Sequence, residues 1–225
     1  MLELVQVPWV SFCLVQKRIL EFSGAAYKLI DIPPSDRSLV WRLTRQRYYQ
    51  VPVLRDGRTV IFETSPTSQV IAKYLEVKLD LGLFPRSYDG LQEILWRYIE
   101  SEVQSLTHKL NASYYRVFVP AAEQLNYVRF QEQKFGPGCL RCWAERRPQL
   151  LAELARRLMP FEQMLADRPY LLDGRPRFVD FDLWGMLASF LYSGRYRLPA
   201  RHGRLRAWYK RMSCVTLQAM ERGGG

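Results

Sequence analysis

Histidine and cysteine are scarce in this 225-residue chain, with two of the first and four of the second. His108 and His202 are too few to build a metal site, so no metal is expected. Cys13, Cys139, Cys142 and Cys214 are too scattered for a disulfide framework, and reduced thiols are the reading. Long hydrophobic runs are missing as well. The longest fall far short of the ~20 residues that a membrane-spanning helix needs, so no membrane partner is expected. Met1-Leu2-Glu3-Leu4 has an early acid and no basic leader, which predicts no secretory signal and a cytoplasmic protein. Acids are also under-represented: 22 Asp and Glu stand against 33 Lys and Arg, for a net charge of +11. Arginines gather around 42–47, 141–157 and 195–211. Such a surface either attracts anions or consists of solvated helix faces. No zinc-finger spacing, aromatic sheet signature or glycine-rich clamp accompanies the charge, so nucleic acid is not expected.

What is present is the balance of a globular protein, 48% apolar and 24% charged, enough to bury a real core. Leu2 to Val7 alternates as a strand and stops at Pro8. Leu14, Val15, Ile19 and Phe22 recur at helical spacing, with Gly24 placed as a C-terminal cap. Tyr27 to Ile32 reads as a second strand closed by Pro33-Pro34. Ser35 or Asp36 caps a short helix through Trp41 and Leu43. Val51-Pro52-Val53-Leu54, Asp56-Gly57 and Thr59-Val60-Ile61-Phe62 form a hairpin with an Asp-Gly turn. Glu63-Thr64-Ser65-Pro66 then opens a helix carrying Val70, Ile71, Tyr74 and Leu75. The order β-α-β-α-β-β-α covers about 78 residues, and from Gly90 on the signals are helical. Leu150 to Leu165 gives one apolar face, with Pro148 near its first turn and a kink at Pro160. Phe181 to Leu191 is apolar nearly all round and predicts a buried helix. Asp180 reads as its buried cap.

Three separated segments carry a family likeness. Val51-Pro52-Val53-Leu54 with Asp56-Gly57, Glu63-Thr64 and Ile71-Ala72-Lys73-Tyr74-Leu75 resembles the glutathione-binding half of glutathione S-transferases. Tyr170-Leu171-Leu172 with Gly174 and Val179-Asp180-Phe181-Asp182-Leu183-Trp184-Gly185 is similar to the start of the central helix in the same family. Val10-Ser11-Phe12-Cys13 resembles the first strand-to-helix turn of its Ser- and Cys-type members. The resemblance implies an α+β fold: a thioredoxin-like domain (1–78), a linker (79–88) and an all-α helical domain (89–225). It also implies a cis Pro52, glutathione as co-substrate, a hydrophobic electrophile as second substrate, and a homodimer.

A transferase must make the glutathione thiol nucleophilic, and lowering a thiol pKa by two units is worth about 2.7 kcal/mol. Hydroxyl donors and helix N-terminal amides do this. Ser11, just before the first helix, is the candidate activator or else a simple N-cap. Cys13 is a second catalytic candidate, or a small buried residue. By resemblance Val10 occupies the usual Ser/Cys position, and a valine cannot stabilise a thiolate. For binding, Thr64 and the helix start suit the γ-glutamyl carboxylate, Glu63 the ammonium, and the Val51 backbone before Pro52 the cysteinyl part. Arg45, Arg47 and Gln50 are candidates for the glycyl carboxylate. The aromatic residues Tyr114, Tyr115 and Phe118 form an acceptor site or ordinary packing. Cys139-Leu140-Arg141-Cys142 is a lone CxxC without a second pair. The alternative to an enzyme is a non-catalytic binding or regulatory module of the same fold.

Overall fold

The computed structural model describes residues 1–64 and 69–222. Four strands, β1 (Leu2–Gln6), β2 (Tyr27–Asp31), β3 (Val53–Asp56) and β4 (Thr59–Ile61), form one sheet in the order β2-β1-β3-β4. β1 runs parallel to β2 and antiparallel to β3. The parallel pair requires a crossover, which α1 (Ser11–Ser23) supplies before Gly24 ends it at φ +71°. The hairpin is present, but Asp56 pairs with Thr59, so its two turn residues are Gly57 and Arg58. Gly57, at φ +58°, takes the first turn position, where a two-residue loop needs a positive φ. α2 (Ser38–Leu43) follows β2, and Asp36 accepts the Ser38 amide at 2.8 Å. The Val51–Pro52 peptide is cis, as the family likeness implies. α3 (Val70–Leu79) completes the sheet half.

The rest is helical. α4 (Asp89–Tyr98) widens into a π-helical turn over Ile99–Gln104 and continues as α5 (Ser105–Ala112). Then come α6 (Tyr115–Phe118), α7 (Gln124–Phe135), α8 (Cys139–Glu145), α9 (Arg147–Arg157) and α10 (Met159–Met164). The kink expected at Pro160 is a full break into two helices, because Pro160 has no N–H to carry α9 onward. α11 (Phe178–Leu191), α12 (Gly203–Cys214) and α13 (Leu217–Arg222) close the chain.

α11 is the buried helix the sequence predicts, and it packs against α1 across the two halves. Gly185 makes this possible: a Cβ there would lie 2.3 Å from Val15 Cγ2 and 3.0 Å from the Ser11 carbonyl oxygen. Asp180 holds its first turn, accepting the amides of Leu171 and Arg177 at 2.9 Å and the Trp208 indole N–H at 2.8 Å. A single cluster of buried side chains runs through both halves, from Leu4, Ile19 and Phe22 to Phe181, Leu187 and Trp208. The buried Arg18 of α1 ties the halves again, donating to the carbonyls of Met212 and Val215 at the end of α12.

Candidate functional site

A cavity of about 520 Å³ opens between the sheet half and the helical half. Arg47, Tyr48, Gln50, Val51, Pro52, Phe62, Glu63, Thr64 and Gln69 line one side of it. Phe12, Val15 and Gln16 of α1, Trp96 of α4, Glu100 of the π turn, and Phe178 and Asp182 of α11 line the other. Gln50, Val51, Pro52, Glu63 and Thr64, scattered over 15 positions in the chain, thus converge on one space because the β3–β4 hairpin folds them together.

The two catalytic candidates are not in that lining. Ser11 begins α1 but is only 8% exposed, with its carbonyl against α11. Val10 is the helix N-cap and makes no side-chain cap bond. Cys13 is fully buried among Val5, Val7, Ile32 and Val40. Burial pushes its thiol up to about 12, against a smaller downward pull from a hydrogen bond with the Val7 backbone. A thiol that holds its proton so firmly is no nucleophile, which corrects the catalytic reading of Cys13.

Glu63 has a different role from the one expected. Its carboxylate accepts the Val70 amide at 2.8 Å and the Ile71 amide at 3.2 Å, filling the first-turn donors of α3. The helix start is thereby occupied by the protein's own anion. Thr64 is exposed on the cavity rim, while Ser65 and Pro66, expected to open this helix, lie outside the described residues. Arg47 stands with its guanidinium 5.8 Å from the Phe62 ring centre, and Phe62 stacks on Tyr48. Arg45, by contrast, is exposed and outside the lining.

Sequence reasoning missed the deep end of the cavity. Glu100 accepts the Trp96 indole N–H at 2.8 Å, and burial pushes its carboxyl up to about 7, with Glu63 and Glu93 adding to the rise. Asp182 is raised well above the ordinary carboxylate range by burial and then by Glu100. The available signal was a second acid, Asp182, two positions beyond the cap Asp180 in a helix otherwise apolar nearly all round.

The remaining candidates are placed elsewhere. Phe118 packs on Trp9 (ring centres 5.2 Å apart) and on Tyr192, closing the space beyond Val10. Tyr114 packs on Tyr196 and Tyr115 on Tyr127, away from the cavity. Cys139 is buried, Cys142 is exposed, and both thiols are free. Among the described residues no group of His, Cys, Asp and Glu forms a metal cluster, and no helix is long and apolar enough to cross a membrane.

Comparison with known proteins agrees with this arrangement. The sequence model for the glutathione S-transferase C-terminal domain matches residues 143–211. No curated protein sequence matches the chain. Among solved structures, glutathione transferase GSTFuA3 from Phanerochaete chrysosporium superposes with a TM-score of 0.81 at 17% identity, covering 94% of this chain and 96% of that one. A glutathione S-transferase of Ceriporiopsis subvermispora in complex with glutathione gives 0.77 at 15%, covering 95% and 98%. Glutaredoxin 2 from Salmonella typhimurium, also in complex with glutathione, gives 0.72 at 17%, covering 98% of each chain. The chain has the glutathione S-transferase fold, a thioredoxin-like half followed by an all-helical half, and its helical half carries the sequence signature of that family's C-terminal domain.

Proposed function

We propose that this protein binds glutathione in the cleft and activates its thiol for attack on an apolar electrophilic small molecule. The observation that carries the reading is the convergence of Gln50, Val51, Pro52, Glu63 and Thr64 on one cavity beside the thioredoxin-like sheet. Val51 precedes β3, outside its paired residues, so its backbone is placed to receive an extended peptide as an added strand. Arg47 and Gln50 take the glycyl carboxylate. The γ-glutamyl carboxylate takes over the α3 amides, and the Glu63 carboxylate it displaces turns to the ammonium group. The thiol faces the start of α1, whose first amides have no partner within the helix. These amides supply most of the thiolate stabilisation, and the buried Ser11 adds a hydroxyl only by turning out of its packing. A cytoplasmic setting keeps glutathione reduced for this use. Two copies associate as a homodimer.

Titration calorimetry with reduced glutathione, followed by thiolate absorbance of the complex, tests this. Saturable binding is expected, with a bound-thiol pKa about two units below the free value near 8.5. Ser11→Ala is expected to move it by well under one unit, and a shift of the full size would return the activating role to that hydroxyl. A folded protein that gives no saturable heat would sink the reading. A second reading, a non-catalytic binding module, is favoured by the burial of Cys13 and Ser11 and by the Trp9–Phe118–Tyr192 cluster beyond Val10. Glutathione bound with an unshifted thiol pKa is its signature.

A further inference from the structure

Two buried acceptors at the deep end of the cavity have no hydrogen-bond partner: Gln16 Oε1 and Asp182 Oδ2. Their residues are 6% and 2% exposed, and both line the cavity. They come from α1 and α11, the two helices whose contact joins the halves, so their separation is fixed by packing rather than by a loop. An unpartnered buried carboxylate is costly, and a donor that completes it recovers that cost. Glu100 adds a second carboxylate from the third side, presented by a π-helical turn, a distortion often found at functional positions. Its hydrogen-bond donor is the neutral indole N–H of Trp96. The walls between these groups are aromatic: Phe12, Trp96 and Phe178. Arg47, the only Lys or Arg among the lining residues, is engaged elsewhere, over Phe62 and toward the Thr44 carbonyl.

Two acceptors without donors, Gln16 and Asp182, joined by a second carboxyl group and framed by aromatic rings, match one ligand chemistry. We propose that Gln16, Glu100 and Asp182 form a subsite for a protonated amine, the ammonium group of a small molecule whose body lies in the cleft. Such a group offers three N–H donors, one for each of these side chains, and ring faces attract its charge. Both carboxyls resist ionisation where they stand, a condition that a bound cation relieves. The assignment stands on these atoms and not on the glutathione reading, which gives the ammonium group of glutathione to Glu63; were that group to enter this subsite instead, that one contact of the reading would fall.

Calorimetry with three probes separates the sources: 1,4-diaminobutane, reduced glutathione, and glutathione acetylated on its amino group. If the amine belongs to a second molecule, the diamine binds wild type and Asp182→Asn weakens it at least tenfold. If it belongs to glutathione, the diamine does not bind, and acetylation weakens glutathione at least tenfold in wild type and not in Asp182→Asn. Diamine binding without glutathione binding would leave the subsite standing while the glutathione reading failed. The proposal is overturned if the diamine fails to bind and acetylation makes no difference, or if Asp182→Asn changes neither. Unfolding distinguishes a structural role. Asp182→Asn keeps the shape of a carboxyl that resists ionisation where it stands, so the urea midpoint is expected to hold or rise, whereas a lowered midpoint with unchanged binding marks Asp182 as scaffold and overturns the assignment. Should Asp182→Asn fail to fold, Glu100→Gln replaces it in the same titrations with the same expected losses.

Discussion

Glu100 titrates near neutrality because water is largely withheld from it, and this makes its charge a term in the stability of the whole chain. Its folded pKa of about 7 lies above the ordinary 4.5, so the native state holds the proton more tightly than the unfolded chain. The sign follows directly. Stability is greatest below the unfolded value, falls as pH rises from about 4.5 to about 7, and is flat beyond. After discounting for the part of the side chain that water still reaches, the loss is about 1–2 kcal/mol. Urea midpoints of Glu100→Gln should lack this segment of the pH profile, and a variant with the wild-type slope would place the titration elsewhere. The candidates read from the chain that the fold brings to the cavity, Gln50 to Pro52 and Glu63–Thr64, are those whose neighbours in sequence are also their neighbours in space. Gln16, Glu100 and Asp182 were not legible, because each gains its meaning from elements far along the chain.

At the scale of elements, the contact of α1 with α11 determines both the core and the site. Gly185 lets the helices approach, and α1 in turn carries Phe12, Val15 and Gln16 into the cavity wall. Gly185→Ala drives a methyl into Val15 and into the backbone of α1, which cannot give as a flexible side-chain tip would. We expect a loss of about 1–3 kcal/mol, read as a lower urea midpoint. Weakened glutathione binding should accompany it, and an unchanged midpoint would mean that the helices part without cost. The sequence announced α11 through its unbroken apolar character and its acid cap at Asp180. Pro160 announced a kink but not the full break between α9 and α10, since the apolar spacing continues through it and only the missing N–H interrupts the helix.

At the scale of the whole molecule, two groups stand out among the apolar side chains left on the surface. Val77, 86% exposed, stands on α3, while Leu91 and Ile94, three positions apart, share one face of α4. A second copy covering these faces is the dimer we expect. Wild type should sediment as a dimer at micromolar concentration and Ile94→Glu as a monomer, whereas a monomeric wild type would remove the expectation. The net charge of +11 bears on encounter rather than on assembly: it draws anionic ligands toward the surface, an effect that salt screens. The two-part architecture could be read from the change in apolar period near residue 80. The welding of the halves into one core could not, because it depends on which faces meet.

The Arg18 side chain has a consequence for the order in which this protein can be completed. Its guanidinium belongs to α1, yet its two carbonyl acceptors, on Met212 and Val215, lie 194 and 197 residues further along the chain. Until residue 215 has emerged, Arg18 has its ion pair with Glu21 but neither of these carbonyls, so the docking of α1 is completed late.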